Sequence, residues 1–277
     1  MQSFSAARIA FIGGGNMAQA LMIGLQQRAF AMQNITVIDP DTAKHEHLQA
    51  TLGVNTSASL TTGSLAVDVV VLAVKPQQLH SVAQALAPLL QSQLVVSVAA
   101  GIRTADLSRW LNGYTTIIRT MPNTPAQIQS GITGAYALPA VTQAQREIAD
   151  AMLQAAGEVV WLTDEDQLDA VTAISGSGPA YVFLMIEALA AAGLSLGLSE
   201  AQSLQLSLAT FKGASLLAAG STTPVATLRE QVTSKGGTTE QGLLSMRQHD
   251  IHGMMQHAAE QAARRAKELG DQLGAQA

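Results

Sequence analysis

The run Val69-Val70-Val71-Leu72-Ala73 is apolar at every position and mostly β-branched. A strand with one wet face alternates polar and apolar residues, so an unbroken run of this kind needs cover on both faces. Further β-branched runs stand at residues 8–12, 35–39, 67–73, 94–98, 116–120, 132–137 and 159–162. Helical stretches at 17–27, 77–90, 105–111 and 142–156 lie between them. Strands alternating with helices make βαβ units, so the expected first half is α/β in class, a doubly wound parallel sheet of Rossmann type.

From Thr163 onward the β-branched runs stop, and Ala, Leu, Gln and Met dominate. This half reads as all-helical, with the boundary placed where Thr163-Asp164-Glu165-Asp166 can cap a new helix. The expected domains are residues 1–163, binding a dinucleotide, and 164–277, a helical domain. Val182-Phe183-Leu184-Met185-Ile186 is apolar around its whole circumference, the pattern of a helix with no solvent face. Residues 179–198 are long and apolar enough to raise the question of a membrane span. Glu187 at the centre would cost about 2.5–3.5 kcal/mol on insertion scales, and the flanks lack Lys/Arg anchors. A helix buried against another copy of the chain is the expectation. Charged residues are only 13%, against about 25% in an average soluble protein, which also suggests a surface covered by a second copy.

The net charge is −5 and no Lys/Arg cluster occurs, so nucleic acid and anionic membranes are not expected partners. The absence of cysteine excludes disulfides, thiolate metal sites and a cysteine nucleophile, and agrees with a cytoplasmic protein. Residues 1–7 carry no basic n-region, so no signal peptide is expected.

The most chemically informative segment is Ile9-Ala10-Phe11-Ile12-Gly13-Gly14-Gly15-Asn16-Met17-Ala18, a strand running through G-x-G-x-x-A into a helix. Gly13 suits the tight turn, Gly15 lets a pyrophosphate approach the backbone, and Ala18 permits close helix–strand packing. Gly14, Asn16 and Met17 complete the turn, whose helix N-terminus offers free N–H groups and a positive dipole end. Asp39 follows about 20 residues later, at the end of the second predicted strand. There an acid accepts a bond from the adenine ribose 2′-hydroxyl, which taken alone favours NADH; the other reading of Asp39-Pro40-Asp41 is a helix cap. Lys75 closes a strand at the edge of the sheet where ligands bind, and is read equally as functional or as simply solvated.

In the helical half, Ser234-Lys235-Gly236-Gly237-Thr238-Thr239 interrupts one helix and opens another. The consecutive N–H groups of Gly236, Gly237 and Thr238 would form an anion nest suited to a carboxylate, with Ser234 and Thr239 adding hydroxyls. An ordinary interhelical loop capped by Thr239 is the alternative. His249 and His252 share a helical face but His257 points elsewhere, so no metal site is expected.

These segments, together with Leu72-Ala73-Val74-Lys75-Pro76-Gln77, Arg119-Thr120-Met121-Pro122-Asn123-Thr124-Pro125, Ser175-Gly176-Ser177-Gly178-Pro179-Ala180-Tyr181 and Val232-Thr233-Ser234-Lys235-Gly236-Gly237-Thr238-Thr239, closely resemble the Δ1-pyrroline-5-carboxylate reductase family nearly end to end. The resemblance implies hydride transfer from NADPH or NADH to the C=N bond of 1-pyrroline-5-carboxylate, giving L-proline, the last step of proline biosynthesis. It implies a Rossmann domain followed by a helical dimerisation domain whose intertwined helices complete the partner's site, in a dimer or a decamer of five dimers. By position, the loop 233–239 would hold the substrate carboxylate, with Thr239 the catalytic residue near the ring nitrogen. Ala73, Val74, Lys75 and Pro76, with Met121 to Asn123, would border the nicotinamide. An imine's conjugate acid titrates near neutrality, so the substrate binds as an iminium or takes a proton from a hydroxyl or water. Aligning two rings and fixing one carboxylate is then most of what the protein must do.

Two departures from the family pattern matter. Lys235 stands where proline is frequent, which should loosen the turn, and residues 220–224 lack the acid commonly found before Pro224. A β-hydroxyacid dehydrogenase, which shares the two-domain plan, would need a helix lysine as acid–base group, and residues 175–187 contain none. A non-catalytic cofactor sensor would be expected to have lost the loop 234–239, which is intact.

Overall fold

Alternation along each strand sorts the core into two faces of one sheet. In the computed structural model, which describes residues 4–275, strand β1 (Ile9–Ile12) sends Ile9 and Phe11 to one hydrophobic cluster and Ala10 and Ile12 to the other. Residues 1–7, read above for a signal sequence, fall partly outside that range.

Between β1 and the middle of the sheet come helix α1 (Asn16–Gln27), β2 (Ile35–Ile38), α2 (Ala43–Leu52) and β3 (Asn55–Ser57). Then follow β4 (Val69–Leu72), α3 (Pro76–Leu86), β5 (Leu94–Ser97), α4 (Thr104–Trp110) and β6 (Ile117–Met121). The sheet is finished by β7 (Gly131–Ala137), α5 (Gln143–Leu153) and β8 (Gly157–Trp161). Val69, Val71, Leu94 and Val96 join the first cluster, while Val70, Leu72 and Val95 join the second. Every residue of β1, β4 and β5 is buried, which is why these runs are apolar except for Ser97 at the end of β5. Each fully buried Val, Leu or Ile contributes about 1.5–3 kcal/mol of transfer free energy. α1 supplies Leu21, Met22 and Leu25 to the first face, α5 supplies Met152 and Leu153, and α3 and α4 cover the second with Leu79, Leu86, Leu107 and Trp110.

The eight strands are ordered β3-β2-β1-β4-β5-β6-β7-β8. All neighbours run parallel except β6 and β7. The order reverses between β1 and β4, opening a crevice at their C-terminal ends. β3 is absent from the predicted strands because Asn55-Thr56-Ser57 carries no apolar residue. It is an edge strand tied by register to Thr36, Val37 and Ile38 and by a 2.7 Å bond from Asn55 Nδ2 to Gln33 O.

The chain divides into two compact units. The first does not stop at the predicted boundary near Thr163 but runs to Ser177 and takes up the chain again from Gln261. Charge explains the extension. Arg119 on β6 is buried at 5% exposure, and its guanidinium lies 2.9 Å from Glu165 Oε1 and 3.8 Å from Asp169 Oδ1. Glu165 also accepts from the backbone N–H and the hydroxyl of Thr104 at the start of α4. The segment read as the cap of a new domain is thus bonded to the sheet, and Asp169 sits in α6 (Gln167–Val171), whose Leu168 is buried. A π-helical turn, Thr172–Gly176, ends this unit. At the far end of the chain, Asp271 pairs with Arg103 at 3.2 Å, and Arg109 donates to Gly274 O at 2.6 Å.

The second unit, Gly178–Glu260, is helical. It holds α7 (Gly178–Ser195), α8 (Glu200–Ala219), α9 (Val225–Gln231), α10 (Thr238–Gln248) and the first part of α11 (Ile251–Gly274). α8 begins with a capping box made by Ser199 and Gln202. No residue of α7 is buried within its own chain, and Phe183 and Leu184 are about 60% exposed, at 61% and 59%. The continuous helical stretch Gln167–Ser195 has the length and composition to cross a membrane, with Glu187 within it. Apolar exposure on this scale marks a surface made to be covered.

Removing one partner of the buried Arg119–Glu165 pair should strand a charge. Glu165→Ala is expected to destabilise the first unit by about 3–5 kcal/mol, seen as a lower urea midpoint. Replacing both residues by leucine should recover most of that loss, and equal midpoints for wild type and Glu165→Ala would refute this role.

Candidate functional site

The turn after β1 is shaped by what lies across the crevice. Gly13 adopts φ +98°, and a Cβ there would sit 2.8 Å from Ala73 O. Only glycine fits both demands. Its N–H donates to Ile38 O at 2.8 Å, and Ala73 N–H donates to Ile12 O at 2.8 Å, so the ends of β1, β2 and β4 are locked together. Gly15 is the N-cap of α1, in extended conformation, with no side chain capping the helix. A Cβ on Gly15 would meet nothing within 4 Å, because this residue faces an open cleft of about 530 Å³. The uncapped first turn of α1, Asn16, Met17 and Ala18, offers backbone donors and a positive dipole end, the arrangement that receives phosphates.

Gly13, Gly15 and Asp39, which the motif spacing brings together, line this one cleft with Ala73, Val74 and Lys75, the residues that the resemblance adds. Gly14 stands behind it and donates its N–H to Asp39 Oδ2 at 2.9 Å. Pro76 is the first residue of α3. Met121 ends β6 and Asn123 follows it, and neither lines the cleft. The Asn123 side chain works within the fold, donating to Ser175 O at 3.2 Å and accepting from Ile132 N–H at 3.0 Å. The unfilled space at Gly15 and the free donors of α1 fit a dinucleotide pyrophosphate.

Asp39 is only 6% exposed. Besides Gly14 N–H, Oδ2 accepts from Lys44 Nζ at 3.1 Å, while Oδ1 accepts from Asp41 N–H at 3.0 Å. Burial pushes this carboxyl up, but the bonds from Gly14, Asp41 and Lys44 more than offset it and hold it below its ordinary 3.8. The helix-cap alternative belongs to its neighbour, since Asp41 Oδ1 accepts from Ala43 N–H at 3.2 Å. Lys44 escapes the motif reading. One signal was available: a lysine in the first turn of a helix opposes the dipole, so its presence after Asp39 and Asp41 calls for a partner.

In the second unit, residues 234–237 form a turn closed by Gly237 N–H donating to Ser234 O at 3.0 Å. Gly236 occupies its third position with φ +74°, the pattern of a type II turn, in which proline at the second position is common but not required. Lys235 therefore fits the second position of this turn. Gly237 caps α10 without a side-chain bond, and Ser234, Thr238 and Thr239 are exposed. Two of the three nest donors already have partners, because Gly236 N–H donates to Glu240 Oε2 at 2.7 Å. Glu240 was not among the residues marked from sequence, although a carboxylate three positions into a helix is well placed to reach back. An internal carboxylate on this loop indicates the chemistry the loop accepts.

Over residues 165–269 the chain matches the family model described as pyrroline-5-carboxylate reductase dimerisation, and over residues 8–101 the one described as NADP oxidoreductase, coenzyme F420-dependent. It is 43% identical to the pyrroline-5-carboxylate reductase of Pseudomonas aeruginosa across 98% of this chain and 99% of that one. Its structure is similar to that of a pyrroline-5-carboxylate reductase from Coxiella burnetii, with TM-score 0.92 and 38% identity over 95% of this chain and 98% of that one. The Plasmodium falciparum pyrroline carboxylate reductase, solved with NADP bound, gives TM-score 0.83 at 29% identity over 97% and 100% of the two chains. With a helical domain of the dimerisation type behind a dinucleotide-binding sheet, and relatives of this identity along nearly its full length, the chain belongs to the pyrroline-5-carboxylate reductase family.

Proposed function

We propose that this protein reduces the C=N bond of 1-pyrroline-5-carboxylate to give L-proline, using NADPH or NADH, as the last step of proline biosynthesis. One observation carries the reading: two helices, α1 and α10, start from glycine caps with no side-chain cap bond, each within a motif of this family. The first suits a pyrophosphate and the second a carboxylate.

Bound NAD(P)H supplies the hydride. Gly13, Gly14 and Gly15, with the N–H groups of Asn16, Met17 and Ala18, hold the pyrophosphate, and Asp39 receives the adenine ribose. Ala73, Val74, Lys75 and Pro76, with Met121 and Asn123, border the nicotinamide, Asn123 by fixing the backbone around it. Ser234, Gly236, Gly237 and Thr238 bind the substrate carboxylate, which displaces the Glu240 carboxylate from Gly236 N–H. The Thr239 hydroxyl donates to the ring nitrogen as hydride transfer to the ring carbon leaves an electron pair on that nitrogen. A substrate able to carry its own proton needs no buried acid–base pair to deliver one.

Assembly follows from the exposed apolar helices. α7, with Val182, Phe183 and Leu184 outward, is the natural surface for a second copy, and dimers built this way are proposed to gather into a decamer. A cytoplasmic location accords with a chain that has no cysteine.

Oxidation of NADPH or NADH on addition of 1-pyrroline-5-carboxylate, with L-proline as product, tests the reading. Tight cofactor binding without turnover would favour a sensor instead. Thr239→Ala should lower kcat about tenfold or more, at least ~1.4 kcal/mol of transition-state stabilisation, while raising KM less. Its affinity for NADPH should match wild type; weakened NADPH binding with normal kcat would assign the loop to the cofactor. Leu184→Asp should yield aggregated or unfolded protein by light scattering, because the charge falls where a partner helix packs. A soluble, active monomer would show that α7 is no interface.

A further inference from the structure

The end of β2 presents two carboxylates, Asp39 and Asp41, to the cleft that also holds Gly13 and Gly15. Left alone, two negative groups would repel the extra phosphate that distinguishes NADPH from NADH. They are not alone. Lys44 Nζ lies 3.1 Å from Asp39 Oδ2 and 3.5 Å from Asp41 Oδ2. We propose that Lys44 is the residue that lets this site accept NADPH, by neutralising Asp39 and Asp41 and presenting its ammonium to the adenosine 2′-phosphate. The inference rests on the reading that this cleft binds NAD(P)H.

Three observations support it. Lys44 lines the cleft and keeps 44% of its side chain exposed, so the ammonium has a face free for an incoming anion. Three N–H donors on an ammonium allow two to point at Asp39 and Asp41 while the third meets a phosphate. The carboxylate of Asp39 is correspondingly committed: Oδ2 already accepts two bonds, from Gly14 and Lys44, and Oδ1 accepts one from Asp41 N–H. About four acceptor positions exist on a carboxylate, so room is left for one ribose hydroxyl. A site with one free acceptor and one shared cation admits both cofactors, whereas an unpaired acid at this position would select NADH. The Asp39 hydrogen bond raises the Lys44 ammonium above its ordinary 10.5, keeping it charged throughout the neutral range.

The test compares adenosine 2′,5′-bisphosphate with AMP as ligands for the full-length protein, by calorimetry, in wild type, Lys44→Ala and Lys44→Arg. Lys44→Ala is expected to weaken the bisphosphate about tenfold more than AMP, the scale of one charge-assisted contact. Lys44→Arg should preserve the wild-type ratio. In turnover, the ratio of kcat/KM for NADPH to that for NADH should fall in parallel for the alanine variant. Equal weakening of both ligands would mean that Lys44 only anchors Asp39, and an unchanged ratio would remove it from the site; either result overturns the proposal. A wild-type protein that binds neither ligand would overturn the cofactor reading itself, which separates that failure from failure of the Lys44 assignment.

Discussion

The carboxylate of Asp39 ties together three pieces of chain at the end of the β1–β2 pair. One oxygen holds the N–H of Gly14 in the turn after β1 and the ammonium of Lys44 on α2, and the other holds Asp41 N–H at the end of β2. The turn in turn passes so close to β4 that Gly13 has no room for a side chain against Ala73 O. The same tie holds the turn that leads into α1, whose uncapped first turn carries a positive dipole end and N–H groups suited to an anion.

The sheet supplies the rigidity this tie needs. Strands buried on both faces leave no polar position to tolerate slippage, because a one-residue shift would exchange the two hydrophobic clusters wholesale. That constraint was legible in the sequence as the unbroken run at 69–73. The glycine motif and its acid were legible for the same reason, since each residue type answers a local geometric demand. β3 was not, because a polar edge strand is held by backbone register and an asparagine bond rather than by apolar burial. Glu165 was read as part of a helix cap because its true partners, Thr104 and Arg119, are distant in sequence. Lys44 and Glu240 were missed as side chains whose meaning comes from a carboxylate or an N–H group brought near by folding.

The helical unit obeys a different rule. Its helices bury few residues within their own chain, and none of α7 is fully buried, yet the family model for this region is a dimerisation domain. Low charge, an all-round apolar helix and extensive exposed leucine are one property seen three ways, and they support the proposal that a second chain covers this unit. The turn at 234–237 is independent of that need, being set by a left-handed glycine and an i to i+3 hydrogen bond. The loop proposed to hold the substrate can thus keep its shape while the helices around it present apolar faces.

On the proposed function, the chemistry is a matter of alignment, with a hydride from the nicotinamide and a hydrogen bond to nitrogen meeting at one C=N bond. The most direct test follows the hydride itself. NADPH deuterated at the reactive nicotinamide carbon should yield L-proline carrying one deuterium on the ring carbon that formed the C=N bond, even in ordinary water. Proline without deuterium, or deuterium acquired only from heavy water, would contradict direct transfer from a cofactor held at the glycine-rich turn.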